Sequence, residues 1–234
     1  VQTDTGGTPV GLVLPQQTYR LDIRNVEAAR HFDQLKGFFG TSKVAYRRDI
    51  LERALPVPEA LVIEADEYLW TLAVAQAGAI VLNEPLFYYR FHENNLFMLQ
   101  KANEKALRLK YEVLSSLLVH LPPRLEDFGI TKEIASVLLE SLRVDVERHR
   151  LRVQGGTPWD MFRVEQASYR LAYRQTTLSY RLFKGFVLAL ALVMPPRWFF
   201  QLKQWYSARN LRRWRSIIGD PVPSVPVVER RTVT

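Results

Sequence analysis

The sequence contains no cysteine. That excludes disulfides, thiolate metal sites and cysteine nucleophiles, and it fits a reducing compartment. Long hydrophobic runs are also missing. The longest strongly apolar stretch, Phe186 to Met194, is nine residues, against the ~20 that a membrane-spanning helix requires. The opening VQTDTGGTPVG shows neither the basic nor the apolar region of a secretory signal. No internal repeat is visible.

What is present describes a folded protein: 234 residues, 47% hydrophobic and 24% charged, enough to bury a core. The net charge of +8 is unevenly spread. Residues 1–95 carry 9 Lys and Arg against 12 Asp and Glu, whereas residues 96–234 carry 23 against 12. A mildly acidic first part joined to a strongly basic second part implies two tasks, the second with an anionic partner.

Residues 1–18 read as loop or extended chain. A short helix is predicted from Asn25 to Leu35, then a turn marked by Gly37 and Gly40, and a half-buried strand over 41–47. Arg48 to Ala54 reads as helix, ended by Pro56 and Pro58. Residues 65–77 give the best helix of the first half. Asp66 and Glu67 lie in its first turn, Leu69, Leu72, Val74 and Ala77 form its apolar face, and Gly78 closes it. Strands are predicted at Ala79–Leu82 and Leu86–Phe91. Beyond residue 95, long helices are expected near 97–120, 131–153, 158–194 and 197–218, broken at Pro122-Pro123, Gly155-Gly156 and Pro195-Pro196. Thr157-Pro158 is a good helix start.

Residues 38–95 carry an ordered set of short motifs. They are Phe39-Gly40, Ala45-Tyr46-Arg47-Arg48, Asp66-Glu67, the glycine at 78, then Glu84-Pro85-Leu86 and Tyr89-Arg90-Phe91-His92. In this order and spacing they resemble the second half of the catalytic domain of family-two, GT-A-type glycosyltransferases. The resemblance implies inverting transfer of a sugar from a nucleotide-diphosphate donor to an acceptor hydroxyl on a glycan or lipid-linked molecule. It also implies that one member of the acidic pair is the general base. The family order is Glu then Asp, and here it is Asp66 then Glu67, so the base is either of the two. Arg47, Arg48, Trp70, Arg90 and Asn94 are the implied donor- and acceptor-binding residues. His92 is the implied ligand of a divalent metal, Mg²⁺ or Mn²⁺, with imidazole better suited to Mn²⁺. The family's nucleotide-binding unit and its D-x-D motif are absent from this sequence. Each residue also has a plainer reading: the acidic pair as helix-start charge, Trp70 and Tyr88-Tyr89 as core, and Arg47-Arg48 as a solvated edge.

The expected fold is therefore α/β, a partial GT-A-like domain over 1–95. An all-α basic region follows over 96–220, and a disordered tail over 221–234. Trp198, Leu202 and Trp205 form one helical stripe, and Leu211, Trp214 and Ile218 another, among basic residues without an acid. This pattern predicts contact of residues 183–218 with an anionic membrane surface, and hence a cytoplasmic, peripheral protein at the inner face of the membrane. The rival readings are a basic helical nucleic-acid-binding protein, which lacks any recognisable binding signature, and an inactive partner subunit.

Overall fold

The computed structural model describes residues 15, 17–87, 104–172 and 178–206, together with the backbone of short strands at 2–3, 9–11 and 89–90. The chain divides into two compact units, Val1–Val153 and Gln154–Thr234.

The expected α/β fold is not what forms. About 72% of the residues described in full are helical, in nine α-helices, and the sheet they form has two strands. The reason lies in strand length. Tyr19–Leu21 (β3) pairs antiparallel with Ala79–Val81 (β4), three residues each, and Ile80 of that ladder is exposed. A ladder this short buries too little apolar area to organise a domain. The remaining pairings are shorter still. Gln2–Thr3 (β1) lies between Pro9–Gly11 (β2) and Tyr89–Arg90 (β5). The strand predicted over 41–47 is instead a 3₁₀ turn, Thr41–Lys43, followed by extended chain.

In the first unit, α1 (Val26–Leu35) starts at Asn25, whose side chain accepts the Ala28 N–H at 2.8 Å. It buries Ala29, His31, Phe32 and Leu35, the i, i+3, i+6 spacing of one helical face. Then come α2 (Arg48–Ala54) and α3 (Ala65–Ala77), which pack on each other. The predicted boundaries of α2 and α3 coincide with those observed. The predicted single apolar face of α3 does not hold. Tyr68 and every residue from Trp70 to Ala75 are buried, while Ala77 is exposed. This is the signature of a central helix covered on all sides.

Three further helices are described in this unit: α4 (Glu104–Asp127), α5 (Lys132–Leu138) and α6 (Glu140–Val153). The break expected at Pro122-Pro123 is absent, and α4 runs through both prolines. Each proline costs a helix interior ~3 kcal/mol. Leu117, Leu121 and Leu125, all fully buried on one stripe, contribute ~1.5–3 kcal/mol apiece, and their packing against α6 and α3 outweighs the local penalty.

Gly78 ends α3, its N–H donating to the Val74 carbonyl at 2.9 Å with φ of 72°. A Cβ there would lie 2.3 Å from the Leu21 carbonyl oxygen. The glycine thus joins the helix stop to the β3–β4 ladder. Gly78→Ala combines a disfavoured φ with a backbone clash and is expected to cost about 2–3 kcal/mol. A urea midpoint unchanged from the native protein would contradict this.

The second unit contains α7 (Pro158–Ala172), α8 (Leu178–Val193) and α9 (196–206). Thr157 and Asp160 cap α7 reciprocally. The Thr157 N–H donates to Asp160 Oδ2 at 2.9 Å, and the Asp160 N–H donates to Thr157 Oγ1 at 3.2 Å. Met161 and Val164 of α7, Tyr180 and Ala191 of α8, and Phe199 of α9 are buried. Lys203 holds α9 to α7 by donating to both oxygens of the buried Glu165, at 2.8 and 3.0 Å. Among the described residues, no helix is long and apolar enough to cross a membrane.

Candidate functional site

The first turn of α3 enters from a strained residue. Glu64 at the N-cap has φ of 61°, a left-handed conformation that costs a non-glycine residue ~1–2 kcal/mol. Its carboxylate forms an ion pair with Lys110 of α4, which fixes the turn against the neighbouring helix. The next residues, Ala65, Asp66 and Glu67, are therefore presented by a turn held at both ends.

The two acids then diverge. Asp66 Oδ1 accepts the Glu67 backbone N–H at 3.0 Å, and its charge helps push the half-buried Tyr46 phenol up to about 12, with burial the larger cause. Glu67 faces the helices, its side chain 17% exposed, with Lys36 Nζ at 3.8 Å. Burial is the main cause that raises its carboxyl to about 7. Lys36 and then Lys110 oppose the rise, while Glu64 and Asp145 add to it. A carboxyl that titrates near neutrality accepts or yields a proton at physiological pH.

Lys36 is the hub around which this corner is arranged. Its ammonium donates to the Leu138 carbonyl at 2.9 Å and to Ser141 Oγ at 3.0 Å, and lies 2.9 Å from Asp33 Oδ1. Ser141 donates in turn to Asp33. One lysine at the end of α1 thus joins α1, α3, α5 and α6. It also lies 5.9 Å from the centre of the Trp70 ring, within cation–π range. Trp70 packs edge-on against Phe32 at 5.6 Å and tilted against Phe39 at 5.3 Å.

The residues implied by the sequence motifs separate into four groups. Asp66, Glu67 and Trp70 share the α3 turn and its neighbourhood, although Trp70 is only 5% exposed and sits in the core. Arg47 and Arg48 lie on the surface at the start of α2 and are engaged locally. Arg47 Nη2 is 2.8 Å from Asp49, and Arg48 Nε is 2.7 Å from Glu52. Arg90 is placed only by its backbone in β5. His92 and Asn94 lie outside the described residues. Among the described residues, no three His, Asp or Glu side chains converge as a metal site. Sequence reasoning missed Lys36, Asp33, Ser141, Lys110 and Asp145. The i, i+3 spacing of Asp33 and Lys36 was the one local signal, and contacts more than 100 residues apart leave no trace in spacing.

Comparison with known proteins finds no matching family model, no matching curated protein and no matching solved structure.

Proposed function

We propose that this chain supplies the acceptor side of an inverting glycosyl transfer from a nucleotide-diphosphate sugar, with Glu67 as general base. The observation that carries this reading is the Glu67 carboxyl held near pH 7 in the first turn of α3, the turn in which the motif resemblance puts the base. A base matched to the operating pH takes a proton most effectively. In the step itself, the acceptor oxygen bonds to the anomeric carbon as its proton passes to Glu67. The bond to the diphosphate breaks with its electron pair leaving on the diphosphate, and configuration at that carbon inverts. Asp66, bonded to the Glu67 N–H, positions the turn. Lys36 limits how far the Glu67 carboxyl rises. The resemblance implies a divalent metal for this chemistry with His92 as a ligand, a residue outside the described ones. The reaction belongs at the cytoplasmic face of a membrane, and the absence of cysteine supports a reducing compartment.

The test is transfer of labelled sugar, from a panel of nucleotide-diphosphate sugars, by the protein as its native cell makes it. Glu67→Gln is expected to lower kcat by roughly 10²–10⁴-fold with donor binding retained. A loss confined to Asp66→Asn moves the base to the neighbouring carboxylate and overturns the Glu67 assignment. Full turnover in both variants ends the transferase reading.

A further inference from the structure

The helices of the second unit have more apolar surface than their own packing uses. α8 turns Tyr180 and Ala191 inward, and α9 turns Phe199 inward. Leu178, Leu182, Phe186 and Val193 nevertheless stand 62–72% exposed on α8, at separations of four, four and seven residues, which is one stripe of a helix. On α9, Trp198 is 66% exposed and Leu202 37%, again four apart. Large contiguous apolar patches are rare on a soluble monomer and mark a surface made for a partner.

The charge of this region restricts what that partner is. From Gln166 to Gly219 the sequence has ten Lys and Arg and no Asp or Glu. Arg181 and Arg197 are exposed beside the stripe, whereas Lys203 is engaged by Glu165. A second copy of the same face would set like charges against like. Nucleic acid would satisfy the arginines and leave the leucine, phenylalanine and valine side chains against phosphate and water. An anionic lipid surface satisfies both, because acyl chains receive the aliphatic stripe, the headgroup level receives tryptophan, and anionic headgroups receive the arginines. Over its 16 described residues, α8 is about 24 Å long, shorter than the ~30 Å hydrocarbon core, a length suited to lying in the interface.

We infer that α8 and α9 form a docking face that seats the chain in the plane of an anionic membrane, with the Leu178–Leu182–Phe186 stripe inserted below the headgroups. This rests on residues remote in sequence from Glu67, so it stands or falls independently of the transfer reading.

The experiment is flotation of the full chain with phosphatidylcholine vesicles, with and without phosphatidylglycerol, across a salt series. Tryptophan emission is followed in parallel. Binding is expected with phosphatidylglycerol, accompanied by a blue shift that Trp198→Phe reduces, and it should weaken as salt rises. Leu182→Ser with Phe186→Ser is expected to weaken binding about tenfold or more. Phe186→Leu should retain it, and far-UV circular dichroism checks that each variant is folded. Three results would overturn the inference: no vesicle binding, equal binding by the double serine variant, or binding to duplex or single-stranded nucleic acid in place of vesicles.

Discussion

Lys36→Met is expected to destabilise the first unit by about 3–5 kcal/mol at neutral pH, the cost of breaking a part-buried ion pair from one side. The methionine fits the space of the lysine stem, so the loss is electrostatic and not a cavity effect. Three acceptors lose the Lys36 ammonium together, the Leu138 carbonyl, Ser141 Oγ and the Asp33 carboxylate, which keeps only its bond from Ser141. Glu67 loses the cation that does most to offset its burial. The penalty should shrink in acid, where the Glu67 carboxyl holds a proton and no longer needs a counter-charge. The pair Lys36→Met, Glu67→Gln should cost less than Lys36→Met alone, because the second change removes one of the stranded charges. Urea unfolding curves at neutral and acidic pH measure both effects. A pH-independent loss would assign Lys36 to packing alone.

How much of this was legible in the sequence depends on the range of the interaction. Helix starts and stops were readable at Asn25, Thr157 and Gly78, because a cap is settled by a side chain within three or four residues. The two prolines of α4 misled, since their penalty is local while the leucine stripe that overrides it is tertiary. The α/β expectation failed for a related reason. Alternation over 41–47 and the apolar residues near 79–91 suggested strands, but alternation forms a strand only where a partner supplies a ladder. Over 41–47 none is present, and β4 finds three residues of β3. At the candidate site, Asp66 and Glu67 were visible as an acidic pair, and their different surroundings were not. What sets Glu67 apart is chiefly its burial among helices distant in sequence, tempered by Lys36 and Lys110 and reinforced by Glu64 and Asp145.

Glu67→Gln should act in the opposite direction from Lys36→Met, and its effect should depend on pH. The native carboxyl titrates at about 7, against an ordinary value of 4.5. Between those values the folded protein holds a proton that the unfolded chain has released. Stability therefore falls as pH rises from about 4.5 through about 7 and stays lower above it. The span corresponds to a penalty on the order of 3 kcal/mol. Glutamine carries no charge at any pH, so the variant should match the native protein near pH 4 and exceed it by about 2–3 kcal/mol near pH 8. A variant less stable than the native protein at pH 8 would show that the Lys36 and Lys110 attractions outweigh the burial cost, and would return Glu67 to a structural ion pair. The expected outcome says more than that the group is strained. A glutamate whose removal strengthens the fold near pH 8 is not there for stability, since stabilising substitutions at functional positions characteristically cost activity. A gain in the pH 8 unfolding curve together with a loss of sugar transfer in the same variant would tie the charge held at α3 to the chemistry proposed for it.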